Sequence, residues 1–150
     1  MRIIKCYLSN FGHRNLMPAP AVQAYCFIPR INLGTNVEFM VDTGASATCL
    51  NGNYAFGLQG HMRKDTLSPS TGIGGQCGYY EEDAVLVFTD TKGQELSFPL
   101  ELSIQRIRRC LWRQPKSYIL QTPCLLGRDL FSKWELRYNH RGKNITLIAP

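Results

Sequence analysis

The sequence lacks any long hydrophobic run. No apolar stretch approaches the roughly 20 residues that a membrane-spanning helix requires, so the sequence predicts no membrane span. The N-terminus starts with basic and apolar residues, but Lys5, Ser9 and residues 12–14 interrupt it before the apolar core of a signal peptide can form. We therefore expect a protein that is neither secreted nor embedded in a membrane.

Closely spaced metal ligands are also missing. The chain contains no C-x-x-C pair, and its three histidines are far apart. Metal sites and disulfide frameworks usually show close or regular ligand spacing, so we expect no metal site and free thiols, in the cytoplasm or another reducing compartment. The cysteines are Cys6, Cys26, Cys49, Cys77, Cys110 and Cys124.

Charged residues are few, at 19% of the chain, while hydrophobic residues make up 44%. This composition is typical of a globular protein. A chain of 150 residues is long enough to bury a core and too short for two ordinary domains. We expect one domain over residues 21–150, preceded by an N-terminal arm over residues 1–20. The net charge of +6 favours acidic partners.

Short strands separated by turn signals follow residue 21. Residues 25–33 and 37–41 predict a hairpin, with residues 34–36 as its turn. A second hairpin is predicted from residues 84–88 and 96–100, whose loop is polar and contains a glycine.

Helical periodicity is found only near the C-terminus. Residues 128–134 predict one short helix, because apolar side chains at positions 130, 131 and 134 form a stripe. Two more strands are predicted, at residues 135–138 and 144–148. Many strands with almost no helix predict an all-β fold, either a small barrel or a sandwich.

An acidic residue ends the apolar strand of the first hairpin. This strand should be buried, and the turn that follows Asp42 exposes backbone N–H groups that can hold a carboxylate. Burial raises a carboxyl pKa and hydrogen bonds to the charged form lower it, so such a place can control protonation. The segment reads Phe39-Met40-Val41-Asp42-Thr43-Gly44-Ala45-Ser46.

This segment resembles the active-site signature of aspartic proteases, and a short chain with one copy of it resembles the retropepsin family. Two further segments agree in order and spacing. Thr71, Gly72, Ile73, Gly74 and Gly75 resemble the glycine-rich flap that closes over substrate. Leu125, Leu126, Gly127, Arg128 and Asp129 resemble the second family motif, which packs behind the catalytic loop.

The resemblance implies a fold and a set of roles. The fold would be a small closed β-barrel with one short helix, acting as a homodimer. Asp42 would be catalytic, with Thr43, Gly44, Ala45 and Ser46 supporting its loop. The flap would bind a polypeptide substrate, and no cofactor would be needed.

The number of aspartates then determines the assembly. Two carboxylates share one proton in this chemistry. The other Asp-Thr pair, Asp90-Thr91, lacks both the preceding apolar strand and an immediate glycine. The second carboxylate is therefore expected from another chain, and two-fold pairs are the commonest oligomers.

Three points stay open at this stage. Many retroviral members carry Asp where this chain has Ser46, so Arg128 pairs with Asp129, with Glu135 or with nothing nearby. The basic segment 104–116, with a tryptophan, fits either nucleic-acid binding or a solvated loop with some side chains in the core. The third alternative is a catalytically silent module with the same fold, which serves in dimerisation or peptide binding.

Overall fold

The structure, a computed structural model, describes residues 1–11, 17–72, 75–107 and 122–150. These residues are mostly strand, with three 3-10 segments (Pro29–Ile31, Gly52–His61 and Lys64–Thr66) and a short α-helix, α1 (Arg128–Phe131). The strands are β1 (Arg2–Lys5), β2 (Tyr7–Ser9), β3 (Ala19–Ile28), β4 (Leu33–Val41), β5 (Cys49–Leu50), β6 (Ser68–Gly72), β7 (Gly75–Thr89), β8 (Glu95–Gln105), β9 (Cys124–Leu126), β10 (Glu135–Asn139) and β11 (Asn144–Ala149).

Six strands close into a barrel. The larger sheet has the order β2-β3-β4-β9-β5-β8-β7-β6, and β3 also pairs with β7 from Tyr25↔Val87 to Phe27↔Val85. This extra pairing joins β3, β4, β9, β5, β8 and β7 into a ring, so that none of the six has a free edge. The expected all-β fold with a small closed barrel is confirmed.

The first hairpin turns earlier than predicted. Strands β3 and β4 pair from Ala21↔Met40 to Ile28↔Leu33, and the turn spans Pro29 to Asn32 instead of residues 34–36. Pro29 presets the first turn position, and Asn32 adopts a left-handed conformation with φ 49°. Gly34 lies within β4, where a Cβ atom would collide with the Tyr25 hydroxyl.

The second hairpin is confirmed and is longer than predicted. Strands β7 and β8 pair from Tyr79↔Gln105 to Thr89↔Glu95. In the turn, the Asp90 carboxylate accepts hydrogen bonds from the N–H groups of Gln94 and Lys92, each at 2.8 Å, and these bonds lower its pKa. Asp90 therefore stabilises a turn.

A second sheet, of order β1-β11-β10, contains both ends of the chain. Residues 2–5 pair with β11, residues 7–9 pair with β3, and β3 itself begins at residue 19. Much of the proposed N-terminal arm is thus paired with the body of the protein. The domain division at residues 20 and 21 stays a prediction.

The C-terminal helix is shorter than predicted. It ends at Phe131 instead of residue 134, although the Trp134 N–H still donates to the Leu130 carbonyl at 3.2 Å. Trp134 is buried, with its ring centroid 5.0 Å from that of Phe88 and 5.4 Å from that of Phe98. Packing, rather than a longer helix, therefore buries the apolar residue at position 134.

The cysteines follow the sequence prediction in part. Cys6, Cys26, Cys49 and Cys124 are free thiols, and burial raises the pKa of Cys26 to about 12. Cys77 is disulfide-bonded, which contradicts the expectation of free thiols at this position. Cys110 lies outside the described residues. None of the helices in the described part of the chain is long and apolar enough to cross a membrane.

An ion pair between the exposed Arg30 and the buried Glu82 links the first turn to β7. Glu82 is 1% exposed, and the Arg30 guanidinium holds its carboxylate at both oxygens, with Nε 2.8 Å from Oε2. The Arg63 N–H also donates to Glu82 Oε1, at 2.8 Å. Burial by itself raises the pKa of Glu82, but the bonds from Arg30 and Arg63 hold it below its ordinary value.

We expect Glu82→Gln to lower the free energy of unfolding by about 2 kcal/mol at neutral pH, because the hydrogen bonds from Arg30 and from the Arg63 N–H lose their charged acceptor. A carboxylate with a depressed pKa stabilises the fold above its unfolded pKa, and this contribution is lost as pH falls through its folded pKa. The wild type should therefore lose more stability than the variant between neutral pH and about pH 3.

Urea denaturation at both pH values measures these differences. Asp83→Asn is the matched control, because Asp83 is exposed and lies 3.9 Å from Arg63; its effect should stay within about 0.5 kcal/mol. Equal effects of the two substitutions would contradict a stabilising role of the Arg30–Glu82 pair.

Candidate active site

Asp42 directly follows the last residue of β4. The strand is anchored on one side by parallel pairing with β9, where Phe39 faces Cys124 and Val41 faces Leu126. The Asp42 N–H continues this ladder by donating to the Leu126 carbonyl at 3.1 Å. The barrel thus fixes the backbone of Asp42 while its side chain is half-buried at the strand end.

A tight turn after Asp42 holds the carboxylate. The Gly44 N–H donates to Asp42 Oδ1 at 2.8 Å, and the Ala45 N–H donates to the Asp42 carbonyl at 3.2 Å. A Cβ on Gly44 would lie only 3.1 Å from Oδ1, so glycine lets the amide approach closely. Thr43, Gly44 and Ser46 are exposed in the single chain.

Strand β9 and the start of α1 support this loop from behind. Strand β9 lies between β4 and β5, the two strands that the loop connects. A Cβ on Gly127 would lie 2.5 Å from the Ala47 carbonyl carbon and oxygen, so only glycine allows this contact. The Arg128 N–H donates to the Ala45 carbonyl at 2.9 Å. The predicted contact between the second motif and the loop is therefore present.

Thr48 and Asp129 form the polar centre of that contact. Thr48 donates its N–H to Asp129 Oδ2 at 2.9 Å and its hydroxyl to Oδ1 at 2.7 Å. The same hydroxyl accepts the Gly127 N–H at 3.1 Å. Sequence reasoning missed Thr48, because a hydroxyl residue beyond the signature gives no sign of a partner 81 positions away.

Arg128 has none of the partners that its surroundings suggested. It is exposed and forms no ion pair within the part of the chain that the structure describes. Asp129 is bound to Thr48, and Glu135 Oε1 lies 2.8 Å from Arg137 Nε. Of the three alternatives left open by the sequence, the one without a nearby partner is found.

The predicted flap forms a hairpin. Strands β6 and β7 pair from Ser68↔Tyr79 to Gly72↔Gly75, and Thr71 lies opposite Gln76. Ile73 and Gly74, the expected tip, lie outside the described residues. Residues 108–116 of the basic segment also lie outside them, while Ile107 is buried.

The Asp-Thr-Gly sequence occurs once in the chain, at Asp42. Asp90 lies in the β7–β8 turn and Asp129 binds Thr48, so the Asp-Thr-Gly signature contributes one carboxylate per chain. Within residues 1–11, 17–72, 75–107 and 122–150, no cluster of three or more His, Cys, Asp or Glu side chains could hold a metal ion.

Comparison with known proteins gives one family match. The model of the retroviral aspartyl protease family matches residues 27–139, a range that contains Asp42 and the second motif. None of the curated proteins matches the chain. Among solved structures, the EIAV protease in complex with an inhibitor aligns at 19% identity with a TM-score of 0.48, covering 79% of this chain and 89% of that chain.

We expect Thr48→Val to destabilise the protein by about 2–3 kcal/mol, because it leaves the Gly127 N–H without its acceptor and removes one of the two donors to Asp129 Oδ1, the other being the Leu130 N–H. Thr48→Ser keeps the hydroxyl and should cost about 1 kcal/mol or less. Urea denaturation of both variants measures the difference. Equal stability of the valine and serine variants would show that the hydroxyl contributes nothing.

Proposed function

Because the chain belongs to the retroviral aspartyl protease family, we propose that it is an aspartic endopeptidase whose active site forms between Asp42 and Asp42 of a second copy. The observation that carries the proposal is the place of Asp42. Its backbone is fixed at the end of a barrel strand, and its carboxylate is bound by the Gly44 N–H. Catalytic carboxylates require such positioning.

The two oxygens of Asp42 have different surroundings. Oδ1 accepts the Gly44 N–H at 2.8 Å, while Oδ2 has no hydrogen-bond donor among the described residues. In the proposed dimer, Oδ2 is the oxygen available to water, substrate and the second carboxylate. Like charges at about 3 Å cannot both be ionised, so the two aspartates hold one proton and titrate as a pair.

Hydrolysis then needs only this pair and a water molecule. The ionised Asp42 takes a proton from the water while the water oxygen bonds to the carbonyl carbon of the peptide. The protonated Asp42 gives its proton to the carbonyl oxygen. The aspartate that took the proton of the water then gives it to the peptide nitrogen, while the other aspartate takes a proton from one hydroxyl of the tetrahedral diol. Cleavage of the C–N bond releases a carboxyl end and an amine end and leaves the pair with one proton again.

The β6–β7 hairpin supplies the proposed substrate-binding element. We assign the flap to Thr71, Gly72, Ile73, Gly74 and Gly75. Glycines allow a backbone to approach a bound peptide closely and to absorb a lid movement. An extended peptide would bind between this hairpin and the Asp42 loop through main-chain hydrogen bonds.

Thr43 is proposed to support the loop across the dimer. Its side chain is exposed in the single chain, and by family resemblance its hydroxyl bonds the catalytic loop of the other copy. Ala45 and Ser46 complete the loop, and Leu125, Leu126, Gly127, Arg128 and Asp129 support it from within the same chain. No cofactor is required by this mechanism.

We expect Asp42→Asn to lower peptide cleavage by at least about a thousandfold while the protein stays dimeric, because asparagine cannot exchange the proton. Asp90→Asn is the matched control, since Asp90 stabilises a turn; its rate should equal that of the wild type. Cleavage is measured by mass spectrometry after each protein has been incubated with a proteome-derived peptide library. An unchanged rate in Asp42→Asn would contradict the proposal, and a dimeric but inactive wild type would favour the silent module.

Activity should also depend on protein concentration. A single chain supplies half of the catalytic pair, so the rate per chain is expected to fall on dilution below the dimer dissociation constant. The test uses one peptide that the library experiment shows to be cleaved. Its rate of cleavage per chain is measured over a dilution series, and sedimentation analysis gives the oligomeric state at each concentration. A constant rate per chain through the dimer-to-monomer transition would show that one chain is sufficient.

A further inference from the structure

Arg128 is a cation for which the described chain supplies no countercharge. Its side chain is exposed and forms no ion pair with any residue that the structure describes. The acidic residues that follow it are already engaged, because Asp129 accepts hydrogen bonds from Thr48 and Glu135 pairs with Arg137. The charge of Arg128 is therefore available to a group from outside these residues.

The backbone of Arg128 is fixed against the candidate catalytic loop. Its N–H donates to the Ala45 carbonyl at 2.9 Å, and the Ala45 N–H donates to the Asp42 carbonyl at 3.2 Å. Gly127, immediately before it, lies so close to the loop that a Cβ atom would be 2.5 Å from the Ala47 carbonyl. Arg128 is thus held beside the Asp42 loop while its side chain is exposed to solvent.

The segments around Arg128 carry almost no other charge. Residues 43–62 and 66–80, which contain the loop and the proposed flap, include no Asp, Glu, Lys or Arg. In the second motif the charged residues are Arg128 and Asp129, and three hydrogen bonds hold the Asp129 carboxylate within the chain. Besides Asp42, Arg128 is therefore the charge of these segments that is open to a ligand.

An available arginine is well suited to bind a carboxylate. The planar guanidinium can donate two parallel hydrogen bonds to one carboxylate, and such charge-assisted bonds are about twice as strong as neutral ones. The net charge of +6 adds a weaker long-range attraction for acidic peptides. A basic residue of a substrate would instead meet an uncompensated positive charge. The chemistry at Arg128 thus favours peptides that contain Asp or Glu.

The position of Arg128 indicates which part of a peptide it contacts. The Asp42 N–H donates to the Leu126 carbonyl, and Arg128 lies two residues farther along the same segment. It is therefore displaced from the cleaved bond, which lies at the Asp42 carboxylates in the proposed mechanism. Residues of an extended peptide follow one another at about 3.3 Å, so we expect contact with a side chain two or more positions from that bond.

We propose that Arg128 is a specificity-determining residue that binds an Asp or Glu side chain of the substrate, two or more positions from the cleaved bond. This rests on the proposed function, because it assumes that a peptide binds beside Asp42, and it names acidic peptides as the preferred substrate class. In a two-fold dimer the peptide meets two copies of Arg128, so an acidic residue on either side of the cleaved bond can be bound.

A glutamate scan tests the preference. One cleaved peptide is synthesised with Glu and with Gln at each position in turn, and kcat/KM is measured for each pair. In the wild type, Glu should be cleaved about tenfold faster than Gln at one position or more, and this ratio should fall to about one in Arg128→Gln. Arg128→Lys should keep part of the ratio, since lysine keeps the charge without the paired bonds. An equal ratio in the wild type and Arg128→Gln would overturn the proposal.

Arg141→Gln is the matched control. Arg141 is exposed in the turn between β10 and β11, and its substitution lowers the net charge by the same amount. Its Glu/Gln ratio should equal that of the wild type; an equal fall in both variants would show that net charge attracts acidic peptides and would overturn the proposal. So would an Arg128→Gln variant with weaker dimerisation in sedimentation and an unchanged ratio. If that variant fails to fold, a wild type without a Glu preference at any position contradicts the proposal.

Binding measurements separate this inference from the proposed function. Two fluorescent pools of random peptides, alike except for Glu or Gln at the same fixed positions, are titrated against Asp42→Asn with and without Arg128→Gln. Binding of the Glu pool about tenfold more tightly, and only where Arg128 is present, supports the inference even if the wild type cleaves nothing, which contradicts the protease. Cleavage by the wild type without an Arg128-dependent preference supports the protease and contradicts the inference.

Discussion

Parallel pairing of β4 with β9 is the constraint on which the candidate site depends. It fixes the backbone of Asp42 through the Leu126 carbonyl and brings Gly127 against the loop that follows. Because this contact leaves no room for a side chain at Gly127, the loop backbone can rest directly on the second motif. The Thr48 hydroxyl and the Asp129 carboxylate then satisfy the polar groups that the contact buries. The loop can thus present a carboxylate without moving when charge develops.

In a single chain the candidate site contains one carboxylate, whereas the proposed mechanism uses two. The barrel is closed by pairing of β3 with β7, so it satisfies its own backbone groups, while the Asp42 loop opens to solvent with one carboxylate. Folding and catalysis therefore make different demands on the chain. The barrel closes within one copy, and the proposed chemistry needs two.

Sequence patterns predicted those features that depend on residues only a few positions apart. Asp42 at a strand end and the β7–β8 hairpin follow from alternation and turn residues within a few positions, whereas the β6–β7 hairpin was expected from the resemblance of residues 71–75 to a family motif. The first turn lies at Pro29 to Asn32 instead of residues 34–36, because Pro29 and Asn32 form it while Gly34 pairs within β4. Contacts distant in sequence could not be read locally: Thr48 with Asp129, and the pairing of residues 2–5 with β11. Their partners are fixed by the barrel and not by neighbouring residues.

The central claim is that two chains share one active site, and mixing experiments test it most directly. Wild type and Asp42→Asn are combined in varying proportions at constant total concentration, exchanged to equilibrium above the dissociation constant, and assayed for peptide cleavage. If each active site requires Asp42 from both chains, the rate follows the square of the wild-type fraction, because mixed dimers are inactive. A rate that falls in direct proportion to the wild-type fraction would show that each chain acts alone and would contradict the account.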